Sequence, residues 1–176
     1  MGKLLLASAA LFALVANVHC IWPNPRSITL GGSIVTVPFP QIIPPPGASL
    51  DLLAAIEKAE SQILEDDMFP LVVPSLRPNA SSLLGAKVLT GLQMTLVSGS
   101  ASNSIAYEAR LPLEQRNEYY TLYIPDGGLA TLKANTSLGL FRGLTTFTQS
   151  VYATSTGSKY IENAPITIED GPAYVR

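Results

Sequence analysis

The stretch Ala134 to Gln149 reads ANTSLGLFRGLTTFTQ, and its two glycines, Gly139 and Gly143, stand four residues apart inside a helical pattern. Each costs about 1 kcal/mol relative to alanine in a helix interior. On a helix the pair lies one turn apart on a common stripe, while Leu140, Leu144, Phe147 and Val151 share a face. A glycine stripe lets a neighbouring backbone come close, so this helix is expected to lie tightly on a sheet. Thr136 or Ser137 caps its start. Arg142 is the only charged residue in the stretch. A phosphate-binding loop is excluded, because no glycine-rich turn and lysine open the helix.

The rest of the chain supplies the sheet. Ser27 to Val37 reads as two short strands around Gly31-Gly32, a two-residue hairpin signal. Pro44-Pro45-Pro46 is a stiff extended linker. A helix starts at Ser49 or Asp51, with Leu52, Ile56, Ala59 and Ile63 on one face, and stops before Pro70. Residues 70–84 form a proline-punctuated loop. Ala86 to Ser98 is a strand with both faces partly apolar, which suits a central position. Ser98 to Ser104 is a polar turn. Tyr119 to Pro125, Leu129 to Ala134 and Pro165 to Glu169 are further strands by β-branched and aromatic content. The order of strands, helix, strands, helix and strand implies an α+β domain. Its sheet is expected to be largely antiparallel, with helices packed on one face.

The first twenty residues read as a secretory signal. Lys3 precedes an apolar run from Leu4 to Val15, too short for the roughly 20 residues that span a bilayer. Cleavage near Cys20 removes the only cysteine and His19, the only histidine. No internal disulfide, no Ser-His or Cys-His pair and no histidine-based metal site then remains. No cofactor is expected. The net charge of -2 and the lack of a basic patch argue against nucleic acid. Asn79-Ala80-Ser81 and Asn135-Thr136-Ser137 are glycosylation acceptors. Asn79 sits in a polar, proline-flanked stretch, and Asn135 abuts the start of the glycine helix.

The helix pattern, Ala134-x-Thr136-x-x-Gly139-x-x-Arg142-Gly143-Leu144-x-Thr146-Phe147-x-Gln149, resembles the signature ahead of the catalytic barrel in family-20 glycoside hydrolases, the β-N-acetylhexosaminidases. Trp22-Pro23-x-Pro25, Asp126-Gly127-Gly128 and Pro165-Ile166-x-Ile168-Glu169-Asp170-x-Pro172 agree with it. Leu138 departs, since many members carry tryptophan there. The resemblance implies the zincin-like α+β fold of the hexosaminidase N-terminal domain over residues 49–170. A signal at 1–20 and a proline-rich segment at 21–48 precede it, and the start of a (β/α)8 barrel follows at 171–176. Such a barrel needs about 250 residues. It would be this domain's partner, and a homodimer is a further possibility within the family. The family's reaction removes terminal N-acetylglucosamine or N-acetylgalactosamine. The substrate's own acetamido oxygen attacks, and an adjacent Asp–Glu pair on the barrel assists.

By the same resemblance, Arg176 of Tyr174-Val175-Arg176 stands where many members hold the terminal sugar with an arginine, although the family more often has tyrosine immediately before it. No catalytic pair is expected in this chain. Asp66-Asp67 read as solvated caps. Glu169 and Asp170 point to opposite faces of an extended segment. Glu114 and Glu118 fall in a charged loop without partners. The expected role is a structural domain of a protein that is secreted or sent to a lysosome- or vacuole-type compartment, with no membrane attachment after signal cleavage. The rival is a stand-alone carbohydrate- or protein-binding module, for which Tyr119, Tyr120 and Tyr123 are the candidate platform.

Overall fold

The structure is a computed structural model, and residues 21–38, 40–70, 77–97 and 103–172 are described. Residues 1–20, read above as a signal, the centres of the 70–84 loop and of the 98–104 turn, and Arg176 lie outside them. Three α-helices and a seven-stranded sheet are present among the described residues. The strands are β1 (Ser27–Thr36), β2 (Ile42–Ile43), β3 (Lys87–Leu96), β4 (Tyr120–Ile124), β5 (Gly128–Ala134), β6 (Tyr152–Ala153) and β7 (Lys159–Asp170). The helices are α1 (Leu50–Glu65), α2 (Ile105–Arg110) and α3 (Ser137–Gln149).

The sheet is mixed. β4 pairs antiparallel with β5 and β7, and β7 pairs antiparallel with β1 and β6. β3 is parallel to β1, β2 and β5. The antiparallel expectation therefore holds for β4 and β7 and gives way around β3. A parallel neighbour needs a crossover, and the long excursion from β3 through α2 to β4 and β5 supplies one.

The expected hairpin at Gly31-Gly32 does not form. Residues 27–36 are one strand, laid along β7 from Ser27↔Glu169 to Thr36↔Tyr160. Between Leu30 and Ser33 the register gains one residue on β1, and between Ser33 and Val35 it gains one on β7. The two bulges cancel, so the strands bend together without losing alignment. Glycine at 31 has a packing reason instead of a turn reason. A Cβ there would stand 2.5 Å from Pro165 Cδ, against the Ala164 carbonyl.

One face of the sheet meets the helices. Leu92, Met94, Leu122, Leu132, Ile166 and Ile168 are fully buried beneath Leu140, Leu144 and Phe147 of α3 and Leu52, Ile56, Ala59 and Ile63 of α1. That apolar set is the one the 3.6-residue period picks out on each helix. On the other face Val88, Tyr123 and Leu129 are exposed among Thr90, Lys133 and Glu169. This alternation marks a solvated sheet face.

Candidate functional site

α3 begins at Thr136, whose hydroxyl accepts from Gly139 N–H at 3.0 Å and donates to the Asn117 carbonyl. Gly139 and Gly143 both face the sheet. A Cβ on Gly139 would lie 2.7 Å from the Tyr119 carbonyl oxygen, and one on Gly143 would meet Leu132 and stand 2.9 Å from the Tyr120 ring. At Gly139 the helix thus approaches backbone just before β4, and at Gly143 it seats on the Leu132 and Tyr120 side chains of β5 and β4. Phe147 closes the contact one turn further on, fully buried.

The polar residues of the same helix hold other segments. Arg142 Nε donates to Glu118 at 2.8 Å. Glu118, expected to be unpaired, has this partner because the helix returns over the loop before β4. Gln149 binds the main chain of Trp22 twice: its Oε1 accepts from Trp22 N–H at 2.9 Å, and its Nε2 donates to the Trp22 carbonyl at 3.0 Å. The Thr146 and Tyr120 hydroxyls share a buried hydrogen bond of 2.6 Å. Burial leads the causes that push the Tyr120 hydroxyl up to about 12. Tyr120 also donates to Asp170 at 3.4 Å, and Asp170 accepts from Arg26 N–H at 3.2 Å. These groups surround a groove of about 440 Å³ between the Trp22–Arg26 segment, α3 and the end of β7. The Trp22 indole stands beside it, 82% exposed.

A buried carboxylate that sequence reasoning missed holds the other end of α3. Glu108, on α2, is 6% exposed and accepts from Leu138 N–H at 2.7 Å. A negative charge at a helix N-terminus is favoured by the exposed N–H groups there. Burial nevertheless dominates and raises the Glu108 pKa above the usual carboxylate value. Asp51 at the start of α1 accepts from Ala106 N–H at 3.0 Å and so holds the start of α2. Burial acts to raise the Asp51 pKa, but hydrogen bonds from the Ser49 hydroxyl and Ala106 N–H leave it lowered. A carboxylate of α1 therefore caps α2, and a carboxylate of α2 caps α3. The six-residue α2 is too short to show a period, so only the Ser104 cap was there to find it.

The remaining candidates do not converge on chemistry. Glu169 is exposed while Asp170 is half-buried on the opposite face. Asp67 pairs with Lys159 at 2.9 Å, and Glu114 is exposed on the 3-10 turn Leu113–Gln115. Glu118 and Asp170 both line the groove, but each is engaged in the structural bonds given above. No group of three metal-binding side chains occurs among the described residues. Tyr119 and Tyr123 are both 42% exposed, whereas Tyr120 is buried, so the three do not make one platform. Asn79 and Asn135 are exposed. The arrangement is a brace: one helix, pressed onto the sheet by glycines, ties down the first and last segments of the domain.

A family model described as beta-acetyl hexosaminidase like matches residues 21–150. The chain belongs to this family. The matched span takes in the Trp22 segment, both carboxylate caps and all of α3, and it stops before β7 and Asp170. Two solved structures share the fold. One, titled as the structure of CpGH84B, superposes with a TM-score of 0.54 at 14% identity over 89% of this chain and 23% of its own. The other, Flavobacterium johnsoniae chitobiase, superposes with a TM-score of 0.52 at 16% identity over 85% of this chain and 20% of its own. The chain therefore spans about a fifth of the length of these structures. No curated protein matches it.

Proposed function

We propose that this chain is the N-terminal, non-catalytic domain of a secreted β-N-acetylhexosaminidase, and that a (β/α)8 barrel outside this sequence carries the chemistry. The observation that carries the proposal is the family match over residues 21–150. The domain's part is structural: it packs on the barrel and supports its folding. The barrel would remove terminal N-acetylglucosamine or N-acetylgalactosamine by the substrate-assisted route. Arg176, outside the described residues, is proposed to hold the terminal sugar from the first barrel strand. Residues 1–20 are proposed to direct the chain into the secretory pathway.

Intact mass of the natural secreted product, after deglycosylation, tests the reading. A mass larger by about 250 residues, with release of nitrophenol from an N-acetylglucosaminide, supports it. A mass of residues 21–176 alone, without that activity, refutes it and leaves binding as the function to pursue.

A further inference from the structure

The two glycosylation acceptors share a sequence signature and differ in surroundings. Asn79 opens the 3-10 turn Ala80–Leu83. Its Oδ1 accepts from Ser82 N–H at 3.0 Å and from the Ser81 hydroxyl at 2.5 Å. The oxygen is thus turned into the backbone, and Nδ2, the atom that bonds to sugar, has no hydrogen bond among the described residues. Beside it runs an open groove of about 410 Å³, with Ala80, the middle residue of the acceptor triplet, in its wall. Leu64, Leu83 and Leu84 line the same groove, and Leu84 is 81% exposed. An exposed cluster of leucines on a folded domain calls for a cover.

Asn135 is placed differently. The hydroxyl residue of its triplet, Ser137, is fully buried as the first residue of α3, and its middle residue, Thr136, is the helix cap. β5, the two-residue connection and α3 are contiguous, and local contacts of this kind form early. The triplet is therefore withdrawn as soon as α3 forms.

We propose that Asn79, and not Asn135, carries an N-linked glycan whose first sugars lie over the groove of Leu64, Leu83 and Leu84. The inference rests on the secretory reading above. In the transfer, Asn79 Nδ2 attacks C1 of the terminal N-acetylglucosamine of a polyprenyl-diphosphate-linked oligosaccharide. The N–C1 bond forms, the C1–O bond breaks, and the diphosphate leaves with the electron pair. The amide proton passes to a base of the transferase. Oδ1 is not consumed, so the cap on the turn survives modification.

Secretion of chain 1–176 from a eukaryotic host, with glycosidase release in heavy-oxygen water and peptide mapping, tests this. The expected result is an oxygen label at Asn79 and an intact Asn135. Ser81→Ala should abolish the label while keeping the Asn79 cap, and should lower Tm by about 2–4 °C relative to the glycosylated chain. Asn79→Gln should lower Tm at least as far, since it also removes the cap. An unlabelled Asn79 or a labelled Asn135 in the secreted chain overturns the assignment. Equal Tm for the glycosylated and S81A chains overturns the cover over the leucines. A chain retained inside the cell with residues 1–20 attached overturns the secretory reading beneath it, and its N-terminal mass tells that outcome apart.

Discussion

Gly139→Ala sets two effects of known size against each other. In a free helix the change is favourable by about 1 kcal/mol. Here the new Cβ would stand 2.7 Å from the Tyr119 carbonyl oxygen, 3.0 Å from Ala134 Cβ and 3.2 Å from Thr136 Oγ1. The first contact is roughly 0.7 Å short of an ordinary 3.4 Å approach, and the atom it meets is backbone at the start of β4. It cannot rotate away, so α3 has to lift. A gap of about 0.5–1 Å forfeits a quarter to a half of each van der Waals contact, and the contacts at risk are those of the fully buried Leu140 and Phe147. Overpacking of this kind costs roughly 1–3 kcal/mol. The expected net loss is about 1–2 kcal/mol, or roughly 0.5–1 M in the urea midpoint at unchanged slope. Gly32→Ala is the control, since nothing lies within 4 Å of its Cβ, and it should leave the midpoint in place. A G139A chain as stable as the parent or more so would refute the close-approach account of the helix.

Thr146→Val should cost about 1–3 kcal/mol, because it leaves the buried Tyr120 hydroxyl with only its long bond to Asp170; urea unfolding measures it. Gln149→Ala should change global stability by under about 1 kcal/mol yet speed amide exchange at Trp22, whose N–H it leaves bare. Glu108→Ala removes a helix cap and should cost about 0.5–2 kcal/mol at pH 7, whereas Glu108→Gln keeps an acceptor and should cost less. The raised Glu108 pKa means the folded state holds a proton that the unfolded state has already lost. Stability from this group is therefore full below the ordinary value of 4.5 and declines as pH rises through the folded value. Asp51 acts oppositely, stabilising above its ordinary 3.8 and losing that contribution as pH falls through its lowered folded value. E108Q should flatten the Tm–pH profile above 4.5 and leave the acid limb below 3.8 unchanged.

How much of this was legible depended on the range of each interaction. The apolar faces of α1 and α3 follow from a local period, and Leu52, Ile56, Ala59 and Ile63 are the residues found buried. The glycine stripe pointed to a close neighbour without saying which strand. Gly31-Gly32 misled because a hairpin and a pair of compensating bulges draw on the same residue type, and only the partner strand, more than 120 residues away, distinguishes them. The parallel setting of β3 and the Arg142–Glu118 pair were invisible for the same reason. Glu108 carried a faint signal, the Ser104 cap four residues before it, but nothing local says that its carboxylate is buried against another helix.

The bonds of α3 give the motif a single physical sense. Its N-terminus is capped in relay, Asp51 holding α2 and Glu108 of α2 holding Leu138. Its middle is pressed to β4 and β5 by glycines. Its last turns reach outward, Gln149 to Trp22 and Thr146 through Tyr120 to Asp170, where Arg26 also binds. The first segment, 22–26, meets the end of β7 directly, through Arg26 on Asp170 and the β1–β7 ladder that starts at Ser27↔Glu169, although about 144 residues separate Arg26 from Asp170, and α3 adds a second hold on each. A helix that only filled the core would need its apolar face and no more. The polar positions Arg142, Thr146 and Gln149 are accounted for because each makes a bond off the helix: Arg142 to the loop before β4, Thr146 to Tyr120 of β4 and Gln149 to Trp22. Loosening the last turn of α3 should therefore free Trp22, which only Gln149 of the helix holds, while the β1–β7 ladder keeps the rest of the two ends together.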